Sequence, residues 1–296
     1  MACGKSKLEE LHSVMKIGVS AFAWTGAWNA SHSDLLPAIK EIGFEGFEIP
    51  MFDPAALPAA EIRRAFEANA LECTVCAILP AGINPVSPDA AVRRRSFEHL
   101  KLCIETTAEL GSRLIGGPLF APIGYLPGHR RTTDEWSWAV EAFKRLGEVL
   151  DAHRMMLSIE PVNRSESFFL RTAKEAEQLC ESIDHGRIGI TIDTFHANIE
   201  ERSIPAAIRS LGHHLRHIHA SENDRGPLGR GHVPFAEIIS ALKMIGYEGY
   251  LMIEGFGYDP KAENAPGHLW ASIDVSPETL ALESYRYLSQ VLANSN

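Results

Sequence analysis

Short apolar, β-branched runs alternate along this chain with longer stretches whose apolar positions recur at helical spacing. The first run, Ile17–Trp24, leads to a helix over Ser33–Ile42 that closes at Gly43. Gly46–Pro50 leads to a helix over Ala59–Ala70. Cys73–Leu79 leads to a helix running to Leu110, and its opening Ser87-Pro88-Asp89 reads as an N-cap with proline at the first helical position. Leu114–Pro118 precedes a helix over Thr133–His153, and residues 155–160 precede one over Ala173–Ile183. Ile188–Asp193 is paired with Ile204–Leu211, Arg216–His219 with Phe235–Ile245, and Tyr250–Glu254 with Pro277–Leu292. Eight such units in about 280 residues favour a parallel sheet closed into a (β/α)8 TIM barrel over an open doubly wound sheet. Residues 16–296 read as one domain, and 1–15 as an N-terminal extension. The connections Gly116–Thr133 and Gly255–Val275 are long for a barrel, which suits lids over its mouth.

Four of the predicted strands end on residues with metal-ligating chemistry: Glu160, Asp193, His219 and Glu254. Their intervals of 33, 26 and 35 residues each match about one strand–helix unit. A parallel barrel would bring them together at its C-terminal rim. Any one of them alone would read as a hydrogen-bonded rim residue. Together, three carboxylates and one imidazole suit Mn²⁺, Co²⁺ or Mg²⁺ better than a closed structural zinc site. His217 shares its strand face with His219 and reads as a satisfied interior histidine, while His213 and His214 fall in a turn. Cys73 and Cys76 lie three apart on a strand, so their thiols point to opposite faces and make no metal or redox pair.

Composition narrows the rest. A net charge of −10 and no basic run longer than Arg93-Arg94-Arg95 argue against nucleic acid and anionic membranes. Five scattered cysteines argue for reduced thiols and a cytoplasmic setting. No stretch reads as a signal peptide or a membrane span.

Three stretches, EPVNRSE (160–166), DTFHANIEE (193–201) and HIHASENDRGPLGRG (217–231), resemble the ketose 3-epimerases of the xylose-isomerase-like TIM barrels, the group acting on D-tagatose, D-allulose and L-ribulose. GFEGFEIP (43–50) and SPDAAVR (87–93) add weaker support. The resemblance implies one divalent metal per chain, held by Glu160, Asp193, His219 and Glu254. It also implies that Glu160 and Glu254 are the acid–base pair, that Glu166, His196 and Arg225 hold the sugar, and that the protein is a homodimer or homotetramer. It fades beyond Glu254, in the region that would shape the sugar pocket.

The chemistry suits those residues. Epimerisation at C3 removes a weakly acidic proton beside a carbonyl and returns it on the opposite face, which calls for two carboxylates rather than one. Trp24 and Phe256 are candidates to pack on the carbon face of a sugar, or equally to serve core or interface packing. His196 could instead be an interior histidine fixed by Asp193, and Arg225 a surface ion-pair partner. Competing functions are another sugar isomerase, epimerase or dehydratase of the superfamily (on an inosose, hydroxypyruvate or a phosphorylated ketose, the last using Arg130 or Arg230), a DNA-repair nuclease, and a non-catalytic sugar binder.

Overall fold

The computed structural model describes residues 15–257 and 275–295. Eight parallel strands close into a barrel in sequence order: β1 (Lys16–Ser20), β2 (Gly46–Met51), β3 (Glu72–Ala77), β4 (Leu114–Gly117), β5 (Met156–Ile159), β6 (Ile188–Asp193), β7 (Leu215–Ala220) and β8 (Tyr250–Ile253). The ring closes where Ile17 and Val19 of β1 register with Leu251 and Ile253 of β8. Helices α1 (Leu36–Ile42), α2 (Ala59–Ala68), α3 (Ala90–Glu109), α4 (Thr133–His153), α5 (Ala173–Ile183), α6 (Thr194–Glu200), α7 (Ile204–Leu211), α8 (Phe235–Met244) and α9 (Pro277–Asn294) follow the strands. The TIM barrel expected from the alternation is the fold. Among the described residues no helix is long and apolar enough to cross a membrane.

The differences from expectation are local. The first strand stops at Ser20, whose side chain caps a short 3-10 turn over Ala21–Ala23. The third helix begins at Ala90 rather than at Pro88. Asp89 is its N-cap and accepts from Ala91 N, while Ser87 Oγ accepts from Asp89 N. Helix α6 was not anticipated. It starts directly after β6 because Asp193 caps it, with Oδ1 accepting from Phe195 N at 2.8 Å. The extension read at 1–15 lies outside the described residues except for buried Met15. So does most of the second long connection, at 258–274.

The apolar core fills the space between the strands and the helices, with Phe47, Ile49, Ile115, Leu157 and Ile190 meeting Phe66, Leu100, Phe143 and Leu179. Inside the barrel the period of two places polar groups instead. A lower layer holds Glu48, Thr74, Ser158, Thr191 and His217, where Ser158 Oγ lies 2.6 Å from Thr191 Oγ1. An upper layer holds Cys76, Glu160, Asp193, His219 and Glu254. Barrel interiors are usually packed with branched apolar side chains, and these polar layers depart from that.

Gly117, at the end of β4, shows how closely the rim is built. Its φ is +125°, and a Cβ there would fall on the carbonyl oxygen of Ala77. Its own carbonyl accepts from Glu160 N at 3.0 Å. Gly117→Ala is therefore expected to cost about 3 kcal/mol or more, from positive-φ strain plus a backbone clash. In thermal unfolding that is a fall of roughly 6 °C or more. A melting temperature unchanged to within about one degree would show that the turn can relax.

Candidate active site

Strands β5 to β8 are neighbours in the ring, so the residues at their ends converge. Glu160, Asp193, His219 and Glu254 each offer a ligand atom, and the four atoms lie within 4.8 Å of one another, all buried. His219 Nδ1 is 3.0 Å from Glu160 Oε1 and 3.7 Å from Glu254 Oε2. Arg225 reaches in from the loop after β7. Its Nη1 donates to Ser221 Oγ and to Glu254 Oε2, both at 2.7 Å, and lies 2.7 Å from Asp193 Oδ2 without the alignment of a hydrogen bond. The expected ligand set and Arg225 therefore form one buried cluster, and Arg225 is buried rather than a surface ion-pair partner.

The electrostatics follow from that packing. Burial raises the Glu254 carboxyl, Arg225 and His219 oppose the rise, and the nearby Asp193 and Glu160 add to it, leaving it at about 8. Burial would also raise Asp193, but Arg225, then His196 and His219, outweigh this and hold it well below the usual carboxylate range. Burial would lower His219, yet Glu160, Glu48 and Glu254 hold it well above its ordinary value. The thiol of Cys76 is pushed far up, first by burial and then by the carboxylates around it. It is a poor nucleophile.

The donor set suits a divalent ion. Three carboxylates and one imidazole converge, and Asp193 uses Oδ1 for the helix cap while its buried Oδ2 faces the site beside Arg225.

Next to this cluster His196, on α6, and Glu166 are joined by a residue that the motif reading did not single out. Asn163 Nδ2 lies 2.8 Å from Glu166 Oε1 and 2.9 Å from His196 Nδ1. The Asn163 backbone N–H donates to the same Nδ1 at 3.3 Å. Nδ1 thus faces the Asn163 donors, while Nε2 lies 3.3 Å from Arg225 Nη2, which can only donate, and 3.6 Å from Asp193 Oδ2. Burial, and secondarily Arg225, lowers the His196 pKa despite Asp193, which keeps the ring neutral.

Glu222 is a second buried residue that sequence reasoning missed. Its carboxylate accepts from Val233 N at 2.9 Å, Gly229 N at 3.0 Å and Asn223 N at 3.2 Å. It thereby organises the loop that carries Arg225 in a left-handed conformation (φ +63°).

The aromatic candidates divide. Phe256 lies 5.3 Å from the Arg225 guanidinium, and its N–H donates to Arg225 O. Trp24 packs on Phe47 and donates Nε1–H to Glu278 at 2.9 Å, which anchors it between the barrel and α9. Phe195, unforeseen, stacks 4.2 Å from the guanidinium. His217 is an interior histidine, as expected, with Nε2 3.0 Å from Glu48 Oε2. Cys73 and Cys76 part as their spacing requires: Cys76 lies among the site's carboxylates, while Cys73 borders a cavity of about 550 Å³ at the N-terminal end of the barrel.

Residues 36–290 match the family of xylose isomerase-like TIM barrels. The chain is 32% identical over 247 residues to D-psicose 3-epimerase of Ruminiclostridium cellulolyticum, covering 82% of this chain and 84% of the relative. It is 32% identical over 252 residues to L-ribulose 3-epimerase of Mesorhizobium japonicum, covering 84% of each. This chain belongs to the ketose 3-epimerases of that barrel family. It is therefore an isomerase of the epimerase type, acting on carbohydrates. A solved L-ribulose 3-epimerase superposes with a TM-score of 0.88 at 30% identity, over 95% of this chain and 96% of that one. The likeness to that structure thus spans the whole barrel.

Proposed function

We propose that this chain epimerises a free ketose at C3, using Glu160 and Glu254 as the acid–base pair and one divalent ion. The observation that carries the reading is the convergence of Glu160, Asp193, His219 and Glu254 on one buried point, with the glutamates on the outer two of four adjacent strands. Mn²⁺ suits the donor set best, with Co²⁺ or Mg²⁺ as substitutes. When bound by these four residues, the ion supplies Lewis-acid stabilisation of negative charge on the substrate oxygens.

The remaining work falls to the chain itself. One glutamate removes the C3 proton, and the other delivers a proton to the opposite face, which inverts the centre. Arg225 donates hydrogen bonds to the oxygens where charge develops, and His196, whose Nε2 lies 3.3 Å from Arg225 Nη2, lines the same place. Glu166 accepts from a sugar hydroxyl, in a position held by Asn163. Phe256, beside Arg225, offers an apolar face to the carbon skeleton. The substrates that follow from the relatives are D-psicose, D-tagatose, D-fructose and L-ribulose. An unphosphorylated ketose is favoured because Arg230, one candidate for a phosphate, is paired with Glu283 at 2.7 Å. The assembly, by the same reading, is a homodimer or homotetramer in the cytoplasm.

The test is C3 proton exchange and product formation on D-fructose, D-tagatose and L-ribulose, after chelation and with Mn²⁺ or Co²⁺ restored. Metal-dependent formation of the C3 epimer is the expected result. Inactivity on all three with the ion bound would move the assignment to a phosphorylated ketose or to another reaction of the superfamily.

A further inference from the structure

Beneath the candidate metal ligands lies a second polar group that the reaction itself does not use. Glu48, in the middle of β2, is wholly inside the barrel, yet a buried carboxylate is tolerated only with partners. It has three. Its Oε2 accepts from Thr74 Oγ1 at 3.0 Å and lies 3.0 Å from His217 Nε2, and its Oε1 lies 3.0 Å from His219 Nε2. The last contact is close without being aligned as a hydrogen bond. His217 and His219 are themselves fully buried.

The two nitrogens of His219 therefore face different groups. Nδ1 faces Glu160 and Glu254, while Nε2 faces Glu48. An imidazole can bind an ion only through a nitrogen that carries no proton, and the proton then resides on the other nitrogen. We propose that Glu48, itself fixed by Thr74 and His217, is a positioning residue that keeps the His219 proton on Nε2 and presents Nδ1 to the ion. This rests on the reading that Glu160, Asp193, His219 and Glu254 hold a divalent ion. It goes beyond that reading by assigning a role to a residue outside the ligand set. Carboxylate partners of ligating histidines act in this way by fixing both the ring and its tautomer.

Glu48, His217 and His219 also each offer a ligand atom within 4.8 Å of one another, close enough to be considered as a metal site of their own. Positioning is favoured because Glu48 Oε2, His217 Nε2 and Thr74 Oγ1 are already engaged with one another. The choice is open to experiment through stoichiometry.

Glu48→Gln keeps the shape but replaces one acceptor with an amide donor. Turned toward His219, that amide would drive the proton onto Nδ1; turned the other way, it would lose the Thr74 and His217 bonds. Mn²⁺ titrated calorimetrically into metal-free protein should bind wild type at one ion per chain and Glu48→Gln about 10–100-fold more weakly. The ¹⁵N shifts of the His219 ring in the Zn²⁺-loaded, diamagnetic protein should show Nε2 protonated in wild type. Thr74→Val is a gentler variant in case Glu48→Gln fails to fold, and it should weaken Mn²⁺ on the order of threefold.

Wild-type Mn²⁺ affinity in a folded Glu48→Gln, or in Thr74→Val if the former does not fold, would overturn the positioning role and leave the ligand set intact. Two ions per wild-type chain, falling to one in Glu48→Gln, would overturn it in favour of a second metal site. Failure of wild type to bind any divalent ion would instead refute the underlying ligand reading, and the positioning role with it.

Discussion

Replacing Glu160 or Glu254 with glutamine is expected to lower epimerisation by about 10²–10⁴-fold, the usual contribution of a positioned acid or base. Each change leaves the side chain's volume almost untouched while removing its capacity to take or give a proton at C3. The two variants should differ in one informative respect. In a two-base reaction each residue serves one face of C3, so each variant should retain slow solvent exchange at C3 for only one of the two epimers, and not the same one. Proton NMR in deuterated water reads this directly, with metal content measured in parallel because both residues belong to the candidate ligand set. Near-normal turnover in either variant would remove the two-base assignment. Exchange of the same epimer in both would point to a single base working across the site. The raised Glu254 carboxyl and the depressed Asp193 carboxyl show that neighbouring acids in one cluster are tuned in opposite directions by what they touch.

What could be read from the chain follows from how local each signal is. The barrel was legible because a strand buried on both faces is a short apolar run, and the helices between carry their own periodicity. The four ligand candidates were legible because each stands where such a run ends, so one residue type and one position suffice. Glu48 has no such signature. It stands in mid-strand, between Phe47 and Ile49, and only closure of the barrel brings it to His217 and His219 on β7. A carboxylate on the inward face of a buried strand was a usable sign, since it must find a partner. Asn163 was hidden because its partner His196 lies 33 residues away. Glu222 was hidden because it bonds to backbone amides, which no sequence pattern distinguishes. Helix α6 was missed for a related reason: Asp193 was read as a ligand, and its second oxygen also caps a helix.

Arg225 should carry the largest stability effect of any single side chain in the site. Its guanidinium is almost entirely buried, 2.7 Å from both Asp193 and Glu254, so its removal strips both carboxylates of their nearest counter-charge. Breaking a buried pair by deleting one partner typically costs about 3–5 kcal/mol. Arg225→Met, measured with chelator present, should therefore melt roughly 10 °C below wild type. The pH dependence follows from Asp193. Arg225 depresses its folded-state pKa, so the stability gained is full above the unfolded value of about 3.9 and is lost as pH falls through the folded value. Without the arginine, burial raises Asp193 and pushes Glu254 beyond its already raised value, so the variant's penalty grows as pH rises to neutral and beyond. The gap between the two proteins should thus be wide at neutral to alkaline pH and close as pH falls through the carboxylate range. Saturating Mn²⁺ should restore part of the variant's stability by replacing the missing positive charge, but not its activity, because the donor to the substrate oxygens is gone. A melting gap independent of pH would mean that Arg225 stabilises the loop by packing on Phe195 and Phe256 rather than by charge.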